Sequence, residues 1–141
     1  MPLLTVDSLA VDYRASRGTI HAVKDVSFSL EKGEKLGLAG ESGSGKSTLG
    51  LSLMRLVPHP GIIVKGCVKI DGKDLLKLQE SEMQSIRGRK IAYIFQDPMT
   101  SLNPVKRIGD HFVELIRTHE SNTSKEKAIE RARDTLKNLA I

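Results

Sequence analysis

Tryptophan is absent from this 141-residue chain, and aromatic residues make up only 4% of it. A basic protein that stacks on nucleic-acid bases interleaves aromatics with its lysines and arginines. No such stripe is present, so the net charge of +5 reads as a solvated basic surface, partly used for nucleotide phosphates, and no nucleic-acid partner is expected. The single cysteine, Cys67, excludes an internal disulfide and suits a reducing cytoplasm. It lies in a strand-like run, where a buried thiol is expected over a reactive one. No apolar run is long enough for a membrane-spanning helix. The opening Met-Pro-Leu-Leu-Thr-Val-Asp has no basic region followed by an apolar core, so no signal peptide is expected. His21, His59, His111 and His119 show no metal-ligand spacing and read as surface or packing residues. The rest is ordinary for one soluble domain, with 39% hydrophobic and 28% charged residues.

Against that background stands Gly40-Glu41-Ser42-Gly43-Ser44-Gly45-Lys46-Ser47-Thr48, which fits the phosphate-binding pattern G-x-x-x-x-G-K-[ST]. The apolar run Lys35–Ala39 before it reads as a buried strand, and Leu49–Leu56 after it reads as a helix. A Gly/Ser linker could match by chance, but strand, loop and helix together are the context the motif requires. The residue types follow from the charge of a nucleoside triphosphate. Gly43 and Gly45 let the backbone adopt φ > 0, so that successive N–H groups of the Gly40, Ser42, Gly43, Ser44 and Gly45 stretch point inward as an anion nest. A helix starting near Lys46 adds its positive end there. Lys46 reaches the β- and γ-phosphates, Ser47 offers a hydroxyl to Mg²⁺, and Thr48 offers one to a phosphate oxygen. ATP and Mg²⁺ are the expected ligands.

Along the chain, Leu3–Tyr13 and Ile20–Leu30 are expected as two strands joined by the loop Arg14–Gly18. Val23, Val26, Phe28 and Leu30 include a period-two stretch that buries one face. Pro58-His-Pro-Gly61 breaks the chain. Ile62–Ile70 is strand-like and ends in the turn Asp71-Gly72, Leu75–Arg87 holds a short helix, and Lys90–Phe95 reads as a buried parallel strand. Ile108, Phe112, Leu115 and Ile116 form one helical stripe, and Ile129, Ala132, Leu136 and Leu139 another, with Thr123 and Glu126 as a capping box. Such stripes read as packing within the domain.

A second motif, Ile94-Phe-Gln-Asp-Pro-Met-Thr-Ser-Leu-Asn-Pro104, follows the Lys90–Phe95 run. Alone, Gln96-Asp97-Pro98 is a turn, although a glutamine at a strand end can ligate Mg²⁺ or hold an attacking water through its carbonyl oxygen.

Together, Gly40–Thr48 and Ile94–Pro104 resemble the Walker A and Q-loop motifs of ABC-type ATPases. The wording of the second motif, with Ala22-Val-Lys-Asp-Val-Ser-Phe28, resembles the dipeptide/oligopeptide importer branch, which also includes nickel importers. The resemblance runs from about Leu3 to the last residue. It implies an α/β fold: part of a P-loop nucleotide-binding domain with an N-terminal antiparallel β-element and part of a helical subdomain. It implies that Gln96 senses the γ-phosphate, ligates Mg²⁺ with Ser47 and couples to a membrane permease. It also implies an aromatic stacked on adenine, with Tyr13 the nearest candidate and Arg17 another; a plain strand-end tyrosine is equally open. The family's signature motif, Walker B aspartate, catalytic glutamate and switch histidine follow the Q-loop, and none of these patterns occurs here. The whole of 1–141 therefore resembles the N-terminal half of a nucleotide-binding domain. The implied parent is a peripheral subunit on the cytoplasmic face of the membrane, pairing with a second ATP-binding subunit to drive peptide uptake. Other readings are a soluble ABC ATPase acting on nucleic acid or ribosomes, a P-loop GTPase or kinase sharing only Gly40–Thr48, and a binding module without turnover.

Overall fold

The computed structural model describes residues 1–16, 18–97 and 102–140. They divide into two compact units, Met1–Tyr93 and Ile94–Ile141. Arg17 and the 98–101 part of the second motif lie outside the described residues.

The first unit is built on a four-stranded antiparallel sheet in the order β2-β1-β3-β4. Its strands are β1 (Leu4–Ala15), β2 (Gly18–Leu30), β3 (Gly61–Ile70) and the short β4 (Lys73–Asp74). The β1–β2 pairing runs out to Ala15↔Gly18, so the hairpin connection is tighter than the Arg14–Gly18 loop expected. Period two breaks between Val23 and Val26 because Asp25 sits at φ 51° in a bulge, where Leu9 opposes Val26 and Val11 opposes Val23. The extra residue returns both valines to the inner face. On the β3 side, Gly66 at φ 108° answers a matching irregularity, and a Cβ there would lie 2.5 Å from the Leu9 Cα.

Helix α1 (Lys46–Leu53) lies against the sheet, and after β4 a 3₁₀ turn (Leu75–Lys77) leads to α2 (Glu80–Ile86). The core is Val6, Leu9, Val11, Val23, Val68 and Ile70 from the strands, with Leu49 of α1, Leu75 and Met83. Helix α2 starts on a reciprocal cap between Gln79 and Glu82, which satisfies two N–H groups that the helix itself cannot.

The runs flanking the two motifs depart from expectation. Lys35–Ala39 forms no strand, and Leu36 and Leu38 are each 53% exposed. Lys90–Phe95 forms no strand either; Ile91 makes one isolated parallel bridge with Arg87, and Ile94 is 91% exposed. The physical reason is pairing. A buried parallel strand needs a hydrogen-bonded neighbour and covered faces, and no described strand pairs with either run.

The second unit packs α3 (Ile108–His119) on α4 (Lys125–Asn138). Val113, Ala128 and Ala132 are its buried residues, with Phe112, Ile116, Ile129 and Leu136 half-buried. Ile108, Leu115 and Leu139 of the expected stripes are exposed. The cap of α4 is Ser124, whose Oγ accepts from the Lys127 N–H at 3.3 Å, and not Thr123. Thr123 instead donates to the Glu120 carboxylate. Glu126 takes its own backbone N–H and the Ser124 hydroxyl, which hold its pKa below the usual carboxylate range. No described helix is long and apolar enough to cross a membrane.

Candidate phosphate-binding site

The Gly40–Thr48 loop opens α1 as its sequence demands. Gly45 is the helix N-cap at φ 93°, and its carbonyl accepts the first helical bond from the Leu49 N–H at 2.8 Å. Gly43 is at φ 80°, a left-handed conformation that favours glycine. A Cβ on Gly45 would overlap the Ala22 carbonyl, so β2 presses directly against the back of the loop. Nothing in the sequence marked Ala22 for this role, because its backbone rather than its side chain makes the contact.

Lys46 folds back over the loop. Its ammonium donates to the carbonyls of Gly40 at 2.7 Å and Glu41 at 2.6 Å, and to Ser44 Oγ at 3.3 Å. The Ser44 N–H closes a turn on the Glu41 carbonyl. Lys46 is thus held above the turn by neutral acceptors, for which an anionic phosphate oxygen is a stronger competitor. Gly40, Ser42, Gly43, Ser44 and Ser47 are exposed, while Gly45, Lys46 and Thr48 are half-buried. Beside the loop, a cleft of about 570 Å³ lies between β2 and the chain entering Gly40. A nest with two left-handed glycines, a helix N-terminus and one cation fits the phosphates of a nucleotide. Ser47, on the first turn of α1, has the hydroxyl that a phosphate-bound Mg²⁺ would take.

Tyr13 joins this group. Its hydroxyl lies 3.4 Å from Thr48 Oγ1, and its ring lies against Gly61. Gln96 belongs to the second unit, where it is an exposed bend residue at the start of the segment. Among the described residues no three His, Cys, Asp or Glu side chains converge on a metal site. Cys67 is half-buried, and burial followed by the nearby Asp74 carboxylate pushes its thiol pKa up, away from a reactive thiolate.

A clamp with no signature in the local sequence holds the far end of α1. Arg87 Nε donates to the Met54 carbonyl at 2.9 Å, its guanidinium also reaches the Arg55 carbonyl, and it pairs with Glu80. Arg55, at φ 53°, donates to the carbonyls of Leu75 at 3.3 Å and Leu78 at 2.7 Å. Only the tertiary arrangement reveals which carbonyls these arginines meet.

A loop with left-handed Gly43 and Gly45 at the head of α1 has the form of a P-loop phosphate nest, although the strand expected before it is not formed. Residues 23–141 match the ABC transporter family, and the chain belongs to it. It is 45% identical over 140 residues to the oligopeptide transport ATP-binding protein OppD of Bacillus subtilis, covering 99% of this chain and 39% of that protein. It is 39% identical over 141 residues to the dipeptide transport ATP-binding protein DppD of Escherichia coli, covering 43% of that protein. The chain therefore spans about two fifths of the length of these curated relatives. Among solved structures it resembles MJ0796, a bacterial ABC transporter cassette seen as a dimer. There the TM-score is 0.78 at 28% identity, over 95% of this chain and 56% of that one. A post-hydrolysis state of the same cassette bound to ADP and Pi matches with a TM-score of 0.75 at 26% identity. These matches bear out the α/β ABC-type fold.

Proposed function

We propose that the protein, at its natural length, is the ATP-binding subunit of an ABC importer that takes up peptides. The observation that carries this reading is the Lys46 cradle on a loop with left-handed Gly43 and Gly45, in a chain 39–45% identical to oligopeptide and dipeptide transport ATP-binding proteins. ATP is held by Gly40–Thr48, with Lys46 drawn from the loop carbonyls toward the β- and γ-phosphates. Mg²⁺, when bound, neutralises charge on the phosphates, and Ser47 and Gln96 would hold it. Tyr13 is the residue proposed to meet adenine. The subunit works on the cytoplasmic face of the membrane with permease subunits and a second ATP-binding subunit. Cargo is chosen by the other subunits.

The test is ATP binding by Lys46→Ala. A charge-assisted contact contributes about 1.5–3 kcal/mol, so affinity should fall by about ten- to a hundredfold. Unchanged affinity would remove Lys46 from the site. Co-purification with membrane subunits supports the importer, and co-purification with RNA or DNA would favour a soluble ABC ATPase instead.

A further inference from the structure

Strand β3 and helix α1 both meet the Tyr13 side chain, β3 at its ring and α1 at its hydroxyl. Strand β1 brings Tyr13 opposite Gly61, the first residue of β3, with the two Cα atoms in register. The neighbouring Arg14 N–H is tied to the Pro60 carbonyl at 3.3 Å. A Cβ on Gly61 would lie 2.7 Å from Tyr13 Cε1 and 2.5 Å from Val57 Cγ1, so the ring occupies a slot that only glycine leaves open. The slot aims the phenol at α1, and its oxygen meets Thr48 Oγ1 at 3.4 Å. Both residues are half-buried, so the pair is partly shielded from competing water.

A threonine hydroxyl has one proton to donate and can accept from others. A phosphate oxygen only accepts. If Thr48 spent its proton on Tyr13, it would have none for the nucleotide; if Tyr13 donates, the Thr48 proton is left for the phosphate. We propose that Tyr13 is a positioning residue for the phosphate loop: its hydroxyl donates to Thr48 and aims the Thr48 proton at a phosphate oxygen. This role rests on the ATP-binding reading above and is separate from any stacking of the ring on adenine, because stacking needs no hydroxyl.

The experiment is a double-mutant cycle on the binding of a fluorescent ATP analogue by the protein at its natural length, with thermal midpoints recorded alongside. Tyr13→Phe keeps the ring and should bind about two- to tenfold more weakly, the range of one neutral hydrogen bond. In a Thr48→Val background the same change should cost nothing more, whereas in Thr48→Ser, which restores a hydroxyl, the loss should return. Gly61→Ala, which closes the slot without touching either hydroxyl, should also weaken binding. A merely structural Tyr13 would lower the thermal midpoint and weaken binding equally in all three backgrounds, and that result would overturn the proposal. So would Tyr13→Phe binding as tightly as the wild type. A folded wild type that binds no ATP analogue would overturn the nucleotide reading itself, and this proposal with it.

Discussion

The carbonyl oxygen of Ala22 occupies the space where Gly45 would carry a Cβ. One consequence is a sharp intolerance at Gly45. Alanine there must hold φ 93° and also push β2 away from the loop. Left-handed backbone alone costs a non-glycine residue about 1–2 kcal/mol, and the overlap with fixed backbone adds to it. Gly45→Ala should therefore lower stability by roughly 2 kcal/mol or more and abolish detectable ATP binding. Gly43→Ala, where nothing lies within 4 Å of the added Cβ, should show the backbone cost without the overlap. Denaturant midpoints of the two variants, measured side by side, separate the terms.

Gln96 is expected to act in coupling rather than in affinity. Gln96→Ala should leave ATP binding within about twofold of the wild type, because on the proposed reading the charged contact to phosphate is that of Lys46 and the loop adds its N–H groups. Permease-stimulated hydrolysis should fall instead. Lost nucleotide binding without a specific loss of stimulation would mark Gln96 as an ordinary turn residue.

The clamp on the end of α1 is a stability device. Arg87→Ala removes donors from the Met54 and Arg55 carbonyls and leaves Glu80 without this partner. The expected cost is about 1–3 kcal/mol, read from urea unfolding. Glu80→Gln should cost less, under about 1 kcal/mol, because the Glu80 side chain is 54% exposed and its ion pair is screened by water. Equal costs for the two changes would show that the ion pair, not the carbonyl contacts, does the holding.

Residues 1–141 expressed alone should be marginally stable and should self-associate. Leu36, Leu38, Ile94 and Phe95 are exposed on runs whose backbone no described strand pairs with. Exposed apolar residues on extended chain are templates for further pairing. Light scattering should grow with concentration, and Leu36→Lys together with Leu38→Lys should reduce it. A cooperative monomeric transition at ordinary stability would mean that these residues close a core by themselves.

The same 141 residues should release no phosphate from ATP above background. Hydrolysis needs a group to orient water and a carboxylate to help hold Mg²⁺. Glu41 lies inside the phosphate loop, Asp97 follows Gln96, and no apolar run ending in Asp-Glu occurs in the sequence. Phosphate release that Lys46→Ala abolishes would reveal a base among these residues and would overturn the half-domain reading.

Local chemistry explains what was legible in the sequence. The Gly40–Thr48 loop announced itself because glycine takes left-handed backbone without the cost a Cβ brings, and the structure has Gly43 and Gly45 there. The β1–β2 hairpin and the paired helices α3 and α4 followed from apolar periodicity, a property of neighbouring residues, and the α1 helix from its place directly after the glycine loop. Tertiary structure decided the rest. Lys35–Ala39 and Lys90–Phe95 have strand-like composition, yet a strand is a relation between two backbones, and no described strand pairs with either. The bulge at Asp25 and the Arg87 grip on α1 depend on register or on distant partners that no local window contains, whereas the cap of α4 at Ser124 in place of Thr123 is a one-residue choice between adjacent hydroxyls. The meeting of Tyr13 with Thr48 is of the same kind: 35 residues separate them, and it takes the Gly61 slot to bring the hydroxyls together.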